Sequence, residues 1–206
     1  MSKNSYEYNY LYQTRIRETL NYALEEFSRI VAIRVDLHFP ATPDYGDMPT
    51  CFTNTTKAIS RFLASLRAKL GHDEAKKRNQ DKRVYTNRLR YIWVRELADA
   101  DNAHYHLLLI FNKDAYYHLG DYNLTVPSLR TMITAAWYSA LQLELDPILN
   151  TGSLVHYPDN GRYCINKHAS TFKADYDSLL ARADYLAKEY SKQYSSQYRS
   201  FGSSQY

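Results

Sequence analysis

The sequence predicts an α+β fold in which an antiparallel sheet carries helices on one face. Three observations favour this class. Segments with helical spacing alternate with strand-like segments, two strong strand signals follow each other as a hairpin, and hydrophobic residues make up 45% of the chain. A chain of 206 residues is long enough to bury one core. We predict one domain over residues 1–192 and a Ser/Gln/Tyr-rich tail over residues 193–206, loosely held because it has little aliphatic content.

The first half of the chain starts with a helix and a strand. Residues 14–30 place aliphatic side chains at helical spacing. In residues 31–39 apolar side chains alternate with polar ones, and Pro40 then ends the predicted strand. These segments predict a helix that leads directly into a strand.

A second helix is predicted from the segment KAISRFLASLRAKLG, residues 57–71. Its apolar side chains recur at helical spacing, residues 50–54 are a candidate start, and Gly71 is a candidate stop. The polar and basic residues 72–88 that follow are predicted to form a loop.

The strongest strand signals are RLRYIWVREL, residues 88–97, and HYHLLLIFN, residues 104–112. Turn-forming residues between them predict a hairpin. The remaining predicted elements are a helix that opens at Pro127 and Ser128, two short strands at residues 152–157 and 161–166 around a PDNG turn, and a closing amphipathic helix at residues 172–192.

The element order from residue 31 onwards is β-α-β-β-α-β, which predicts the split β-α-β or ferredoxin-like arrangement. An extra N-terminal helix precedes this unit, and an extra short strand and a C-terminal helix follow it. In this arrangement the helices cover one face of the sheet. We expect the other face to stay open for a functional site.

Positive charge is concentrated in one segment. The chain has a net charge of +4, whereas residues 67–90 alone contain nine Lys or Arg against three acids. Such clustering suits phosphate neutralisation, although a solvated helix end and loop gives the same pattern. The candidate DNA-binding side chains are Lys76, Lys77, Arg78, Lys82, Arg83 and Arg88, together with Lys192 further along the chain.

Several other classes of protein are disfavoured by the sequence. No apolar stretch reaches the roughly 18 residues that a membrane-spanning helix needs. Residues 1–13 lack the apolar core of a signal peptide. Cys51 and Cys164 have no CxxC spacing and indicate neither a disulfide framework nor a thiolate zinc site. We therefore expect a reduced, cytoplasmic protein.

His104 and His106 are one residue apart at the head of the second hairpin strand, so their side chains point to the same face. A turn centred on Ala100 sets Glu96 opposite His104 and Val94 opposite His106. Two imidazoles and a carboxylate in this arrangement are a candidate shell for a divalent metal. A slip of one residue turns Glu96 to the other face, and two such histidines are otherwise an ordinary feature of a sheet.

A candidate nucleophile lies on the predicted closing helix. Tyr185 and Lys188 are three residues apart and are therefore neighbours on one helix face, with Lys192 a further turn along. A tyrosine hydroxyl is a poor nucleophile at neutral pH because its pKa is about 10. A nearby cation and a metal-polarised phosphate together make its attack feasible. The same spacing also arises by chance in a chain with 21 tyrosines.

The combination of these motifs resembles the HUH endonuclease superfamily, the rolling-circle replication initiators whose catalytic domain is a ferredoxin-like sheet. The chain is also similar to the inovirus-type branch of that family, which filamentous phages and prophages carry. The stretches that carry the resemblance run from about residue 31 to the end of the chain; they are VAIRVDLHFP, YIWVREL, HYHLLLIFN, DYLAKEYSK and RSFGSSQ.

The resemblance implies a role for each candidate residue. Glu96, His104 and His106 correspond to the ligands of Mg²⁺ or Mn²⁺. Tyr185 corresponds to the nucleophile and Lys188 to the lysine of the tyrosine motif. The implied reaction nicks single-stranded or hairpin DNA at a replication origin. It gives a 5′-phosphotyrosine intermediate and a free 3′-hydroxyl, and the same site can rejoin strands.

A host helicase and a polymerase are the implied protein partners, and no membrane is involved. The chain has no Walker-type phosphate loop, so any helicase activity must come from another protein. The resemblance also leaves roles open. Asp36 and His38 lie on the strand of the family's first motif, and each is a candidate further ligand or a side chain that supports one. Tyr190 and Tyr194 are conceivable second nucleophiles.

Two alternative functions remain at the level of sequence. One is a catalytically inactive DNA-binding regulator of a phage or prophage with the same fold. The other is an oxygenase, because two histidines and one carboxylate also form the facial triad of non-haem iron. The tyrosine motif and the basic segment favour the nicking enzyme over the oxygenase, and a nicking assay with and without Mn²⁺ separates the nicking enzyme from the inactive regulator.

Overall fold

The computed structural model describes residues 7–40, 57–97, 103–146, 154–188 and 199–205. In these ranges the protein has an α+β fold with four helices and an open antiparallel sheet of six strands. The predicted fold class is confirmed at this level. No helix of the described residues is long and apolar enough to cross a lipid bilayer.

In chain order the elements are α1 (Tyr10–Glu26), β1 (Arg29–His38), α2 (Ala58–Asn79), β2 (Arg90–Leu97), β3 (Ala103–Asn112), α3 (Leu129–Ala140), β4 (Val155–His156), β5 (Arg162–Asn166), α4 (Phe172–Asp184) and β6 (Phe201–Ser203). The strand order is β4-β1-β3-β2-β6, and β5 also pairs with β1.

The chain divides into two compact units. The first consists of residues 1–36, 86–117 and 157–206, and the second of residues 37–85 and 118–156. The single domain over residues 1–192 stays a prediction.

Helices α1 and α4 share a hydrophobic core with one face of β2 and β3 in the first unit. The strand residues in this core are Ile92, Val94, Leu108 and Ile110. Because side chains alternate along a strand, this is also the face that carries His104 and His106. The apolar surface buried here is the main stabilisation of the first unit.

The opposite face of β3 is buried as well. Its side chains are each at most 2% exposed; they are Tyr105, Leu107, Leu109 and Phe111. The expectation of an open sheet face is therefore wrong at this strand. Residues 107–111 are apolar at every position, which is the pattern of a strand that is buried on both faces.

Helices α2 and α3 pack against each other in the second unit. The buried Trp137 of α3 makes edge-to-face contacts with Phe39 and Phe62, at ring-centre distances of 5.3 and 6.0 Å. Its indole N–H donates to the carbonyl of His38 at 2.8 Å. The tryptophan therefore satisfies its polar atom while it fills the core of this unit.

Helix α2 extends past its predicted end. It continues through Gly71 to Asn79, so the predicted stop and the predicted loop are wrong for residues 72–79. Side-chain pairs one turn apart stabilise this extension: Lys77–Asp73 at 2.6 Å and Arg78–Glu74 at 3.8 Å. The predicted start at residues 50–54 lies outside the described residues.

The limits of two other helices follow from their caps. Helix α1 starts four residues before its predicted start, where the Asn9 side chain accepts a hydrogen bond from the Tyr12 N–H at 3.1 Å. Helix α3 starts as predicted, with Ser128 as its N-cap. It ends at Ala140, and Gln142 then adopts a positive φ of 59°.

Residues 201–203, which the sequence assigned to a loosely held tail, form strand β6. They pair with β2, so that Gly202 lies opposite Trp93. The Phe201 ring stacks on Tyr12 with ring centres 4.2 Å apart. A strand of three residues is too short for a recognisable alternation, which explains why the sequence pattern did not reveal it.

We expect Gly202→Ala to lower the free energy of unfolding by about 1–3 kcal/mol, the usual effect of overpacking. A Cβ at this position lies 2.5 Å from the Trp93 indole, which is itself buried. Gly71→Ala is the matched control, because its Cβ meets no atom within 4 Å and lies inside a helix. It should stabilise the protein by about 0.5–1 kcal/mol in urea denaturation. A Gly202→Ala protein as stable as the parent would contradict the packing of β6 on Trp93.

Candidate metal centre

The hairpin of β2 and β3 has the predicted register. Glu96 lies directly opposite His104, and Val94 lies opposite His106. The turn centred on Ala100 falls on residues 98–102, outside the described residues. The pairing nevertheless has the register which that turn requires, so Glu96 and both histidines share one face.

Glu96, His104 and His106 form the one group of three potential metal ligands among the described residues, with ligand atoms within 4.8 Å of one another. The Nε2 atoms of His104 and His106 are 3.0 Å apart, and Glu96 Oε2 is 3.2 Å from His106 Nε2. Two ligands at about 2.1 Å from a cation and at right angles to each other also lie about 3.0 Å apart. The donor atoms therefore fit a divalent cation with further positions left for water or substrate.

Asp36 of β1 orients the His106 ring. Its Oδ1 is 2.6 Å from His106 Nδ1, which therefore carries a proton and donates it to the carboxylate. In the neutral imidazole this leaves the Nε2 lone pair directed at Glu96 and His104. A carboxylate behind a metal-binding histidine fixes its tautomer and raises its basicity. Asp36 thus supports the candidate ligand His106.

Arg34 anchors Asp36 in turn. The Arg34 Nε donates to Asp36 Oδ1 at 2.9 Å, and both residues are less than 10% exposed. A buried charge needs a partner, and each of these two provides one for the other. The chain Arg34–Asp36–His106 therefore runs from the interior of the first unit to the candidate ligand atoms.

These contacts shift the pKa values of both partners. Burial raises the pKa of the Asp36 carboxyl, but the hydrogen bond from His106 and the charge of Arg34 outweigh it and lower the pKa to about 2. Burial lowers the pKa of His106, yet the hydrogen bonds to Asp36 and Glu96 prevail and raise it above its ordinary value. Asp36 is consequently ionised across the physiological range.

Metal affinity should fall as the pH is lowered. A proton on His106 Nε2 competes with the cation, and the raised pKa of His106 makes this competition begin at a higher pH than for an isolated histidine. Below that pKa, affinity for Mn²⁺ should drop by up to about tenfold per pH unit for each competing proton. Titration calorimetry at a series of pH values measures this. An affinity that stays constant through the titration range of histidine would contradict the assignment.

Asp36→Asn should weaken Mn²⁺ binding by about 10- to 100-fold, because it removes the negative charge that raises the basicity of His106. The matched control is Asp114→Asn, which removes a carboxylate paired with Arg29 at 2.8 Å at the other end of β1. That control should bind Mn²⁺ like the parent in the same calorimetric titration. Equal losses in both variants would mean that general charge, and not orientation of His106, sets the affinity.

Tyr185 does not lie in the helix where the sequence placed it. Helix α4 ends at Asp184, and Tyr185 opens a single 3₁₀ turn, Tyr185–Ala187. Lys188 is nevertheless its neighbour, with Nζ 3.4 Å from the centre of the tyrosine ring. Lys188 is buried, whereas Tyr185 is 46% exposed. Lys192, Tyr190 and Tyr194 lie outside the described residues.

The segment before α1 holds the Tyr185–Ala187 turn. The Asn9 N–H donates to the Ala187 carbonyl at 2.8 Å, and Tyr8 forms an antiparallel bridge with Lys188. Leu186 and Ala187 are buried in the same core as Val94, the residue opposite His106. The turn therefore packs on the sheet face that carries the three candidate ligands.

The predicted DNA-binding side chains are spread over the end of α2 and the segment after it. Lys76, Lys77 and Arg78 lie in the last turn of α2, where Lys77 and Arg78 pair with acidic side chains. Lys82 and Arg83 follow this helix and are exposed. Arg88 lies 3.6 Å from Glu26 of α1. Three of the six members of this set that the structure describes thus have a nearby carboxylate.

Sequence reasoning left the role of Asp36 open and did not single out Arg34. The alternation of side chains along β1 places Arg34 and Asp36 on one face, and this much can be predicted from the sequence. Their partner on β3 depends on which strands are neighbours in the sheet, and no local pattern gives this. His38 ends β1 with an exposed side chain and is not a member of the three-ligand group.

The fold and the site together define an α+β protein with a two-histidine, one-carboxylate candidate metal centre. A family model described as the YagK/YfjJ C-terminal domain matches residues 1–204, and the chain belongs to this family. No solved structure matches the chain with significance.

Two curated relatives come from Escherichia coli K12. The chain is 46% identical over 195 residues to "Uncharacterized protein YagK", covering 94% of this chain and 92% of that protein. It is 44% identical over 200 residues to "Uncharacterized protein YfjJ", covering 95% and 94%. The relatives therefore extend over nearly the same length as this chain.

Proposed function

We propose that this protein is a metal-dependent, single-strand DNA endonuclease and strand transferase of the HUH type, which initiates rolling-circle replication. The observation that carries the proposal is the geometry of Glu96, His104 and His106, with His106 held by a buried carboxylate. A carboxylate that orients a histidine whose other ring nitrogen meets two further ligand atoms is the usual arrangement behind a metal-binding histidine.

The topology supports the ferredoxin-like part of this proposal. In the sheet order, β3 lies between β1 and β2. Strand β3 is therefore inserted into the β1–α2–β2 motif. That insertion is the feature that defines a split β-α-β arrangement. β4 lies on the outer side of β1, where the last strand of such a unit belongs.

A divalent cation bound by Glu96, His104 and His106 would supply Lewis-acid polarisation of the scissile phosphate. Tyr185 Oη attacks the phosphorus and loses its proton. The bond from phosphorus to the 3′ oxygen breaks, and this oxygen takes up a proton as the 3′-hydroxyl. The DNA 5′ end stays linked as a phosphotyrosine ester. Attack by a 3′-hydroxyl reverses the reaction and rejoins the strand.

Lys188 acts on the tyrosine in this proposal. Its ammonium lies over the Tyr185 ring and is buried, so it faces the nucleophile more than the solvent. A desolvated cation over an aromatic face interacts strongly with it. Lys188 stabilises the negative charge that appears on Tyr185 when its hydroxyl loses the proton, and it holds the ring in place for attack.

The deciding experiment incubates the full chain with end-labelled single-stranded origin DNA, with Mn²⁺ or with EDTA. The proposal expects a protein–DNA band that resists denaturation and a shortened product with a free 3′-hydroxyl, both only with Mn²⁺. Binding without any covalent band would instead identify an inactive DNA-binding regulator. No binding to single-stranded or hairpin DNA would overturn both the nicking enzyme and the DNA-binding regulator.

A further inference from the structure

A second cationic and aromatic surface lies at the other end of the sheet from the candidate metal centre. Its centre is Tyr117, which follows β3 and is 42% exposed. We call this surface the Tyr117 patch and define it by Arg29, Lys113, Tyr117, Arg162 and Lys167, all of the first unit.

Two cations lie against the Tyr117 ring. The Lys113 Nζ is 5.1 Å from the ring centre, and the Arg162 guanidinium carbon is 5.0 Å from it. Arg162 Nη1 also donates to the Tyr117 carbonyl at 3.3 Å. An exposed aromatic ring thus has two positively charged side chains against it.

Backbone hydrogen bonds connect Arg29 and Lys167, the other two cationic residues, to the end of the sheet that Lys113 follows. The Lys113 N–H donates to the Arg29 carbonyl at 3.1 Å, and the Lys167 N–H donates to the Ser28 carbonyl at 2.8 Å. Four of the five residues that define the patch bear a positive charge, and the Asp114 carboxylate pairs with one of them, Arg29. The patch therefore keeps a clear excess of positive charge.

We infer that the Tyr117 patch is a second binding surface for single-stranded nucleic acid. Unpaired bases stack on exposed aromatic rings and on guanidinium planes, while neighbouring cations contact the phosphates. The Tyr117 ring, with Lys113 and Arg162 against it, can therefore stack on the base of a nucleotide while the cations contact its phosphate.

This surface is separate from the proposed cleavage site. Arg29 and Asp36 lie seven residues apart on β1, which corresponds to about 23 Å along a strand. The inference therefore goes beyond the nicking reaction, and it holds or fails whether or not the protein cuts DNA.

The test measures binding of fluorescein-labelled oligothymidylate of about 20 nucleotides by anisotropy, with the full chain in EDTA so that no cleavage occurs. Tyr117→Ala should raise the Kd about tenfold, because it removes one stacking platform. Tyr117→Phe keeps the ring and should bind like the parent. The half-exposed position tolerates both changes, and thermal unfolding verifies that each variant is folded.

The cations are tested through the salt dependence of the same binding. Lys113→Gln and Arg162→Gln should each reduce the slope of log K against log salt by about 0.7, the value for one phosphate contact with a single strand. Lys173→Gln removes an equal charge from an exposed site on α4 that pairs with Asp177 at 2.9 Å. This control should leave the slope unchanged.

Three results would overturn the inference. They are parent-like binding by Tyr117→Ala, equal losses in Tyr117→Ala and Tyr117→Phe, and slopes for Lys113→Gln and Arg162→Gln that match the Lys173→Gln control. Failure of the nicking assay leaves this measurement intact. The two proposals therefore fail independently.

Discussion

Replacing Tyr185 with phenylalanine is expected to abolish the denaturation-resistant protein–DNA band while DNA affinity stays within about twofold of the parent. The substitution removes only the phenolic oxygen, which is the atom that forms the phosphoester in the proposed reaction. The ring remains in place for the Lys188 ammonium. Because Tyr185 is 46% exposed, loss of the hydroxyl leaves the core unchanged. Gel electrophoresis after denaturation, with labelled origin DNA and Mn²⁺, measures the outcome.

Tyr8→Phe is the matched control for this experiment. Tyr8 is 43% exposed and bridges to Lys188, so it lies in the same part of the surface without being the proposed nucleophile. The Tyr8→Phe protein should form the band like the parent. A band that persists in Tyr185→Phe and disappears in Tyr190→Phe or Tyr194→Phe would move the nucleophile to one of the two tyrosines considered from the sequence.

The hairpin at the centre of the site was predictable because its determinants are local. Strand alternation places His104 and His106 on one face, and a short turn links the two strands in one register. Both features can be read within 20 residues of the sequence. The observed pairing of Glu96 with His104 follows from them directly.

The support behind the site was not predictable in the same way. Asp36 reaches His106 because β1 and β3 are neighbours in the sheet, although the two residues are 70 positions apart in the chain. A single sequence, read without an alignment, contains no signal for such a long-range contact. The local pattern therefore shows that Asp36 and Arg34 share a face and leaves their partners undetermined.

Two errors of prediction near the C-terminal end of the chain, at α4 and β6, have a common physical cause. Helix α4 ends at Asp184 because the backbone of residues 187 and 188 bonds to the segment before α1, which is far away in sequence. Strand β6 exists because Gly202 allows close approach to Trp93. In both cases a tertiary contact decides against the local preference.

Replacing either His104 or His106 with alanine is expected to weaken Mn²⁺ binding by more than the 10- to 100-fold that follows from loss of a supporting carboxylate. Each variant removes one of three donor atoms that lie within 4.8 Å of one another. A single imidazole and a carboxylate then remain, and the covalent band should disappear with the metal. In the His106 variant, Asp36 keeps its bond to Arg34, so the buried carboxylate is not left unpaired.

The His38→Ala variant tests whether His38 is a further metal ligand beside the three-residue group. His38 is exposed at the end of β1 and does not belong to the group of close donor atoms, so its variant should bind Mn²⁺ like the parent. Calorimetric titration of all three variants under one condition makes the comparison. A loss of Mn²⁺ affinity in His38→Ala as large as that in His104→Ala would add His38 to the proposed metal ligands. Unchanged binding in all three would remove the metal from the proposed mechanism, because no other group among the described residues offers three such ligands.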